Sequence, residues 1–164
     1  MPITDIRPLG AGDLPAVKAV IAATGLFPAD LLDAMAAPFL GGTAAGDLWF
    51  VAVADGTPCA VAYCAPERMT DGTWNLLLIA VHPDRQGRGV GAWLTAHVER
   101  SLAGRGARIL LVETSGLPEF ARTRAVYQRL GYAEEARIRD FYAAGEDKVV
   151  FRRDLRDGTG MVRA

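Results

Sequence analysis

The sequence predicts one domain of the α/β (α+β) class, with seven strands and four helices. Its 164 residues suffice for one substantial core, and 51% hydrophobic with 23% charged residues is ordinary for a compact domain. Hydrophobic periodicity switches between the two-residue repeat of strands and the helical repeat along the chain. No repeat or linker interrupts it, so we expect the domain to span 1–156, followed by a flexible tail over 157–164.

The first half of the chain is predicted to contain four strands and two helices. Asp13 is expected to cap the first helix, with Pro15 in its first turn. Asp55-Gly56 is a strong signal for a hairpin between the second and third strands. The fourth strand is nearly all apolar, which is typical of a strand buried on both faces. The predicted bounds are strands Ile3–Arg7, Leu48–Ala54, Pro58–Pro66 and Thr73–His82, and helices Leu14–Ala23 and Ala29–Phe39.

The second half is predicted to alternate helices with strands. Gly104 and Gly106 should stop the third helix at Ala103, and Gly131 should end the fourth. The predicted bounds are helices Val90–Ala103 and Pro118–Leu130, and strands Arg108–Thr114, Tyr132–Arg139 and Lys148–Arg153.

Net charge and the first residues limit the classes of function. A formal net charge of −1 gives no long-range attraction to nucleic acid or to an anionic membrane. Residues 1–10 contain Asp5, Arg7 and two prolines instead of the apolar stretch of a signal peptide, and no segment is long enough to span a membrane. We therefore expect a cytoplasmic protein.

The cysteines and histidines are too few and too far apart for metal or thiol chemistry. Cys59 and Cys64 lie five residues apart in one predicted strand, hence on opposite faces, so we expect two core thiols and no disulfide. His82 and His97 are the only histidines, and their spacing to the cysteines suggests neither a zinc site nor a cysteine–histidine nucleophile. We expect no bound metal.

The most informative segment is the glycine-rich loop Arg85-Gln86-Gly87-Arg88-Gly89-Val90-Gly91, between an apolar strand and an amphipathic helix. Alternate glycines allow positive φ and a close approach of the backbone to a ligand. Successive N–H groups can then converge on an anion at a helix N-terminus, where the helix dipole also favours negative charge. The loop is therefore predicted to bind phosphate groups.

Two other nucleotide motifs compete for these glycines. A P-loop needs Gly-Lys followed by Ser or Thr, which this chain lacks. A dinucleotide fingerprint fits Gly87-x-Gly89-x-x-Ala92, with Glu113 about 20 residues further on. Two observations argue against a nicotinamide site. Residues 82–86 separate the strand from the first glycine, and the chain after Glu113 is too short for a six-stranded doubly wound sheet.

Taken in order, the apolar strand, Pro83, Gln86-x-x-Gly89-x-Gly91 and the helix resemble the coenzyme A pyrophosphate loop of the GNAT superfamily of N-acetyltransferases. Arg124–Tyr132 resembles the second motif of that superfamily, a helix that carries a tyrosine and closes in Leu-Gly-aromatic. The resemblance covers essentially the whole chain. It implies a single-domain acetyltransferase fold with a mixed central sheet of about seven strands and flanking helices, and acetyl-CoA as the acyl donor.

The resemblance also implies roles for individual residues. Tyr127, on the second motif, would be the general acid that protonates the departing thiolate. A backbone N–H on the strand before the loop would stabilise the oxyanion. The residues that would bind the cofactor are Ile79, Ala80, Val81, Gln86, Gly87, Arg88, Gly89, Val90, Gly91 and Ala92.

Glu113 is the residue that we expect to accept the proton of the acceptor amine. Alternation places it on one sheet face with Ile109 and Leu111, and a carboxylate that ends an apolar strand is partly desolvated. It matches the strand-end Glu of ribosomal-protein alanine acetyltransferases, which the chain also resembles in Ile79–Val81 and Ile138–Tyr142. In the alternative interpretation, Glu113 caps the next helix or pairs with an arginine.

The other candidates for proton transfer are weaker. Some superfamily members carry a Glu on the strand before the phosphate loop, but this chain has Asn75 near that position, which cannot act as a base. Glu67 and Asp71 are interpreted as solvated loop charges. The arginines at 122, 124 and 129 are interpreted as a solvated helix face, with contact of one of them with a ligand phosphate as the alternative. Many relatives also start the tyrosine-bearing helix with an Asn, and this chain has Glu119-Phe120 there.

These observations favour an acetyl-CoA-dependent N-acetyltransferase that modifies a primary amine of a small molecule or amino acid. Thr114–Pro118 is longer than in the alanine acetyltransferases, so their protein substrate is not carried over. A non-catalytic acyl-CoA-binding module, a protein or peptide N-terminal acetyltransferase and a nicotinamide-dependent oxidoreductase stay open as alternatives. The acceptor's identity and the oligomeric state, including a homodimer, are not fixed by the sequence.

Overall fold

The computed structural model describes residues 2–43 and 46–156, so the predicted tail at 157–164 lies outside the described residues. Short 3₁₀ turns precede the first, second and fourth helices. The elements are β1 Asp5–Pro8, α1 Leu14–Thr24, α2 Leu32–Leu40, β2 Leu48–Ala54, β3 Thr57–Pro66, β4 Thr73–Val81, α3 Val90–Ala103, β5 Ile109–Ser115, α4 Ala121–Arg129, β6 Ala133–Ala143 and β7 Glu146–Asp154.

The strands form a mixed seven-stranded sheet in the order β1-β2-β3-β4-β5-β7-β6. β4 and β5 pair in parallel, whereas β1 with β2, β2 with β3, β5 with β7 and β6 with β7 pair antiparallel. The predicted fold class is confirmed. The chain divides into two compact units, Met1–Ala65 with Leu78–Ser101 and Pro66–Leu77 with Leu102–Ala164.

The first unit packs α1 and α2 against its strands through a core that is almost fully buried. Trp49 lies in this core and stacks on Tyr63 at 4.3 Å between ring centroids. α1 ends at Thr24 and is capped by Gly25, which has a left-handed φ of 66° and whose N–H donates to the Ile21 carbonyl at 3.0 Å. Other members of this core are Leu9, Val17, Val20, Leu32, Ala36, Val51, Val53, Val61, Leu78 and Ala80.

Asp13 precedes α1 as predicted, but its side chain does not cap that helix. Its carboxylate accepts hydrogen bonds from the Arg7 guanidinium at 2.7 and 2.9 Å and from the Gly10 N–H at 2.8 Å. The hydrogen bond from Arg7 is the main cause that lowers the pKa of Asp13. Asp13 therefore occupies the predicted N-cap position, but the predicted side-chain hydrogen bond to the helix is wrong. Its carboxylate closes the short 3₁₀ turn before α1 instead.

The second unit contains α4 and strands β5, β7 and β6, with Phe151, Leu110 and Val149 fully buried. The turn between β6 and β7 is tied at several points. Asp147 accepts hydrogen bonds from the Asp140 N–H and from Arg137, both at 3.1 Å. The Asp140 side chain accepts from the Gly145 N–H at 2.8 Å, and Gly145 has a φ of 80°. These bonds organise the hairpin that carries Phe141 and Tyr142.

Two predictions about the strands are wrong in part. β4 is not buried on both faces throughout, since Leu77 is 52% exposed between buried neighbours. β6 continues to Ala143 and β7 starts at Glu146, because a tight turn joins the two strands without the predicted loop. The remaining bounds agree with the predictions to within a few residues.

Cys59 and Cys64 are buried thiols of the first unit, as predicted. Over residues 2–43 and 46–156, no group of three or more His, Cys, Asp or Glu side chains is arranged to hold a metal ion. None of the helices in these ranges has the length and apolar character needed to cross a membrane.

Candidate active site

The glycine-rich loop of the first unit has the backbone conformation that the sequence predicts at two of its glycines. Gly87 and Gly89 have φ values of 73° and 80°, which side chains of L-residues rarely adopt. A Cβ atom at either position would meet nothing within 4 Å, so the space beside the loop is open. Gly91 differs, because it lies in the first turn of α3 and a Cβ there would only contact Val81 at 3.7 Å.

Hydrogen bonds and an ion pair hold the two ends of the glycine-rich loop in place. The Gln86 side-chain amide donates to the Val81 carbonyl at 3.0 Å, which ties the loop back to the end of β4. Arg85 lies 3.4 Å from the Asp55 carboxylate. The Trp93 N–H donates to the Gly89 carbonyl at 3.0 Å and starts α3. The Gln86 side chain therefore braces the loop, and the expected contact of Gln86 with the cofactor stays a prediction.

A cleft of about 300 Å³ lies beside this loop within the first unit. Arg85 and Arg88 contribute positive charge to it, and Trp93, whose side chain is 59% exposed, contributes an aromatic wall. Pro2, Ile3 and Val90 complete its lining. The loop therefore combines accessible N–H groups at a helix N-terminus with neighbouring cations, an arrangement that suits phosphate groups.

In the second unit, Glu113 lies on the half-buried face of β5 with Ile109 and Leu111, as predicted. Its Oε2 atom lies 2.8 Å from the Lys148 ammonium, and its Oε1 atom accepts from the Asn75 amide at 3.2 Å. The alternative interpretation of Glu113, in which its carboxylate pairs with an arginine or caps the next helix, names the wrong partner. The cation is a lysine from β7, which lies opposite β5 in the sheet.

Glu67 joins the same group of side chains. The Asn75 amide nitrogen donates to Glu67 Oε1 at 3.0 Å, and Asn75 is only 4% exposed. The interpretation of Glu67 as a solvated loop charge is therefore wrong, whereas Asp71 is exposed. The Glu67 N–H donates to the Thr73 carbonyl at 2.8 Å, so backbone pairing at the start of β4 brings Glu67 to Asn75. We call Glu67, Asn75, Glu113 and Lys148 the carboxylate cluster.

Two aromatic rings lie beside the carboxylate cluster. The Lys148 ammonium is 3.7 Å from the centroid of the Phe141 ring, and Phe141 meets Tyr142 edge to face at 5.0 Å. Both rings are about half exposed, at 49% and 47%. Burial raises the pKa of Tyr142, the Lys148 charge lowers it, and the Glu113 charge raises it. The cluster therefore borders an exposed apolar surface.

Tyr127 belongs to a separate aromatic group in the second unit. Its ring packs against Tyr132 at 5.5 Å and Phe151 at 5.8 Å, and the residue is 5% exposed. Burial alone raises the pKa of Tyr127 to about 12. Its phenol is therefore a neutral hydrogen-bond donor throughout the physiological pH range.

The connection from β5 to α4 is braced by Arg124, which the sequence interpretation placed on a solvated face. Its guanidinium donates to the carbonyls of Ser115 at 2.7 Å and Leu117 at 2.9 Å. That interpretation is wrong for Arg124, because the charge compensates carbonyls of an irregular loop.

Comparisons with known proteins agree with this architecture. A family model described as an acetyltransferase (GNAT) domain matches residues 45–134. A structure from Desulfovibrio desulfuricans, assigned to the GNAT acetyltransferase family, is 35% identical, with a TM-score of 0.86 over 92% of this chain and 98% of that one. A sequence comparison with curated proteins gives no significant match.

Two further structures share the fold over 98% of both chains. The ribosomal-protein-S18-alanine N-acetyltransferase of Escherichia coli is 25% identical, with a TM-score of 0.74. A Salmonella typhimurium protein assigned as an acetyltransferase, solved with its cofactor acetyl-CoA, is 18% identical, with a TM-score of 0.74. The family model covers more than half of the chain, and the 35% identity extends over nearly all of it. The chain therefore belongs to the GNAT family of acetyltransferases.

Proposed function

We propose that the protein is an acetyl-CoA-dependent N-acetyltransferase that transfers the acetyl group directly to a primary amine of a small molecule or amino acid. The observation that carries the proposal is the loop at Gly87 and Gly89, which has positive φ at both glycines and open space beside them. A pyrophosphate needs both features, because its oxygens must approach the backbone N–H groups.

The first unit would hold the cofactor. The N–H groups of residues 87–92 would bind the pyrophosphate, and Arg85 and Arg88 would add positive charge. A backbone N–H in Ile79–Val81 would stabilise negative charge on the oxygen of the reacting carbonyl. When bound, acetyl-CoA supplies the acetyl group as a thioester. The Gln86 side chain would keep the loop in its binding conformation through Val81.

The second unit would supply the group that accepts a proton from the amine. An alkylamine has a reference pKa of about 10.4 and is charged near pH 7, so it must lose a proton before it can attack a carbonyl. We assign Glu113 as the proton acceptor, supported by its position at the end of an apolar strand with 29% of its side chain exposed. Lys148 and Asn75 fix the orientation of its carboxylate.

Tyr127 would donate a hydrogen bond to the departing sulfur. A thiol has a reference pKa of about 8.5, well below the value of about 12 for Tyr127, so complete proton transfer from the phenol is unfavourable. The hydrogen bond itself stabilises negative charge on sulfur without that cost. Tyr127 therefore acts in this proposal mainly as a neutral donor.

A panel of primary amines, assayed by release of free CoA from acetyl-CoA, tests the function. The panel should contain alkylamines, amino acids, aminoglycosides and short peptides with N-terminal alanine. Turnover of a small amine supports the proposal. Saturable CoA binding without turnover of any amine would instead support a non-catalytic binding module, and NADH binding in a fluorescence titration would support an oxidoreductase.

A protein N-terminus is the second candidate acceptor. It is favoured by the 25% identity with the S18-alanine acetyltransferase over 98% of both chains. Against it stands the expectation from the sequence that the connection at Thr114–Pro118, which Arg124 braces here, is longer than in the alanine acetyltransferases. The peptide arm of the amine panel separates these two acceptors directly.

A further inference from the structure

The two faces of the sheet in the second unit differ in how far they are covered. On one face, Val149 and Phe151 are fully buried. Buried and half-buried side chains alternate along β5 and β7, so the half-buried Leu111 and Val150 lie on the opposite face. One face therefore holds the core of this unit, and the other leaves apolar side chains partly accessible.

Strand register places the carboxylate cluster on this second face. Val150 of β7 lies opposite Glu113 of β5 on one side and Ala136 of β6 on the other, and Lys148 lies opposite Ile138. Residues directly opposite each other in antiparallel strands point to the same face of a sheet. Ile138 is 47% exposed. An accessible apolar side chain therefore lies next to the cluster on the β6 side.

Apolar side chains also border the cluster at β4 and at the β6–β7 hairpin. Leu77 follows Asn75 by two positions in β4, hence shares its face, and is 52% exposed. The Phe141 ring, which is 49% exposed, lies 3.7 Å from the Lys148 ammonium. These contacts surround the charges with hydrocarbon. We call Leu77, Leu111, Ile138, Phe141 and Val150 the open apolar face.

The charges on this face do not balance. The carboxylate cluster contains two carboxylates and one ammonium, which leaves one negative charge in excess. A second cation of the same face, Arg152 opposite Leu111, lies 3.8 Å from Asp154, so that pair is neutral. Charge interactions are stronger beside hydrocarbon than in bulk water. The face therefore suits a ligand with one positive charge and an apolar surface around it.

We propose that the acceptor is a primary amine on a compact apolar body, as in an arylalkylamine, with its body on the open apolar face and its ammonium at the carboxylate cluster. The inference rests on the proposed function, in which Glu113 accepts the amine proton. In the transfer a C–N bond forms and the C–S bond of the thioester breaks. Of the two protons that the ammonium loses, one passes through Glu113 to water and the other ends on the thiol.

The same features disfavour other amines. An aminoglycoside would have to remove water from many hydroxyl groups at a surface that offers them few hydrogen bonds. An amino acid would bring its own carboxylate close to Glu113 and Glu67, where like charges repel. A short polar amine would gain the charge contact but no apolar contact. We therefore expect selectivity for one ammonium, an apolar body and no neighbouring carboxylate.

Methyl NMR titrations of the full chain with saturating free CoA, which carries no acetyl group, test the inference. 2-Phenylethylamine should shift the methyl signals of Leu77, Ile138 and Val150. Its Kd should be about tenfold lower than that of ethylamine, because the ring covers apolar surface. 2-Phenylethanol, which has no charge, and phenylalanine, which adds a carboxylate, should both bind more weakly than 2-phenylethylamine. With acetyl-CoA, kcat/KM should rank the three amines in the same way.

Ile138→Ser tests the apolar contact at an exposed position. KM for 2-phenylethylamine should rise about fivefold, whereas KM for ethylamine should stay the same. Met69→Ser is the matched control, because Met69 is an exposed apolar side chain in the turn before β4 and is not part of the open apolar face. Thermal denaturation shows whether each variant is folded. Leu77→Ser repeats the test on β4 should Ile138→Ser not fold.

Several outcomes would overturn the inference. It is wrong if ethylamine binds as tightly as 2-phenylethylamine, or if the shifted methyl groups lie outside the open apolar face. An equal loss for both amines in Ile138→Ser would also contradict it. Methyl shifts that depend on protein concentration without any amine would assign this face to a second copy of the chain instead.

Binding and turnover fail independently. A protein that binds 2-phenylethylamine on the open apolar face but acetylates no amine would overturn the proposed function and keep the site. A protein that acetylates ethylamine or an aminoglycoside at least as well as 2-phenylethylamine would keep the function and overturn the inference about the acceptor.

Discussion

The two compact units carry the two halves of the proposed chemistry in different ways. In the first unit, the proposed cofactor side consists of backbone N–H groups from one contiguous segment, residues 87–92, and from the strand before it. In the second unit, the proton side consists of side chains from positions as distant as Glu67 and Lys148. A backbone site is visible in a short motif, whereas a side-chain cluster depends on strand pairing. Variants should therefore separate cofactor binding from proton transfer.

The largest effect is expected from Gly89→Glu in the first unit. The new side chain would require φ near 80° and would place a carboxylate in the open space beside the loop. Like-charge contact with a pyrophosphate costs several kcal/mol, so acetyl-CoA affinity should fall by more than about 100-fold in calorimetry. Gly25→Glu is the matched control, because Gly25 also has positive φ and open space but lies at the end of α1. Unchanged affinity in Gly89→Glu would exclude the loop as the pyrophosphate site.

Glu113→Gln in the second unit should slow catalysis without weakening acetyl-CoA binding. Loss of a general base lowers the rate by about 10² to 10³ and removes the acidic limb of kcat/KM against pH. The exposed Glu119, changed to Gln, is a control of equal charge change in the same unit. A pH profile that keeps its acidic limb in Glu113→Gln would transfer the role of base to another group.

Tyr127→Phe should lower kcat by about 10², the lower end of the range for acid catalysis, because the phenol donates a hydrogen bond without releasing its proton. Since burial raises the pKa of Tyr127 to about 12, the donor is present at every pH below that value. Wild-type kcat should therefore show no basic limb from Tyr127 up to about pH 11. Acetyl-CoA affinity, measured by calorimetry, should stay constant. An unchanged kcat would leave Tyr127 with a packing role alone.

The smallest effect is expected from Gln86→Ala, which removes the hydrogen bond to the Val81 carbonyl at 3.0 Å. One neutral hydrogen bond contributes about 1 kcal/mol, so acetyl-CoA affinity should fall about fivefold while kcat at saturation stays the same. Gln128→Ala is a suitable control at a position on α4. A loss as large as that of Gly89→Glu would show that Gln86 contacts the cofactor itself.

The sequence allowed the phosphate loop to be predicted because its information is local. Glycine spacing sets the positive φ values of Gly87 and Gly89, and the helix that follows starts at Val90 as expected. Gly91 shows the limit of this reasoning, since the same residue type at the next alternate position serves the first turn of a helix instead.

The carboxylate cluster could be predicted only at Glu113. Lys148 pairs with β5 through the antiparallel register of β7, and a single sequence does not specify that register. The contact between Glu67 and Asn75 could have been predicted more readily from the sequence, because the two residues flank the turn into β4. Backbone pairing across that turn was the overlooked signal. The contacts of Arg124 were not predicted, because the sequence does not show which loop carbonyls need a side-chain donor.

Because of the side-chain hydrogen bonds within the β6–β7 hairpin, the turn loses conformational freedom when the chain folds and not when a ligand binds. Asp147 and Asp140 hold the turn through side-chain hydrogen bonds to backbone N–H groups, so the backbone entropy of the turn beside Phe141 and Tyr142 is lost during folding. A ligand that meets these rings would encounter a hairpin whose backbone turn is already held by hydrogen bonds. Binding to such a preorganised surface favours ligands of matching shape over flexible adaptation to many.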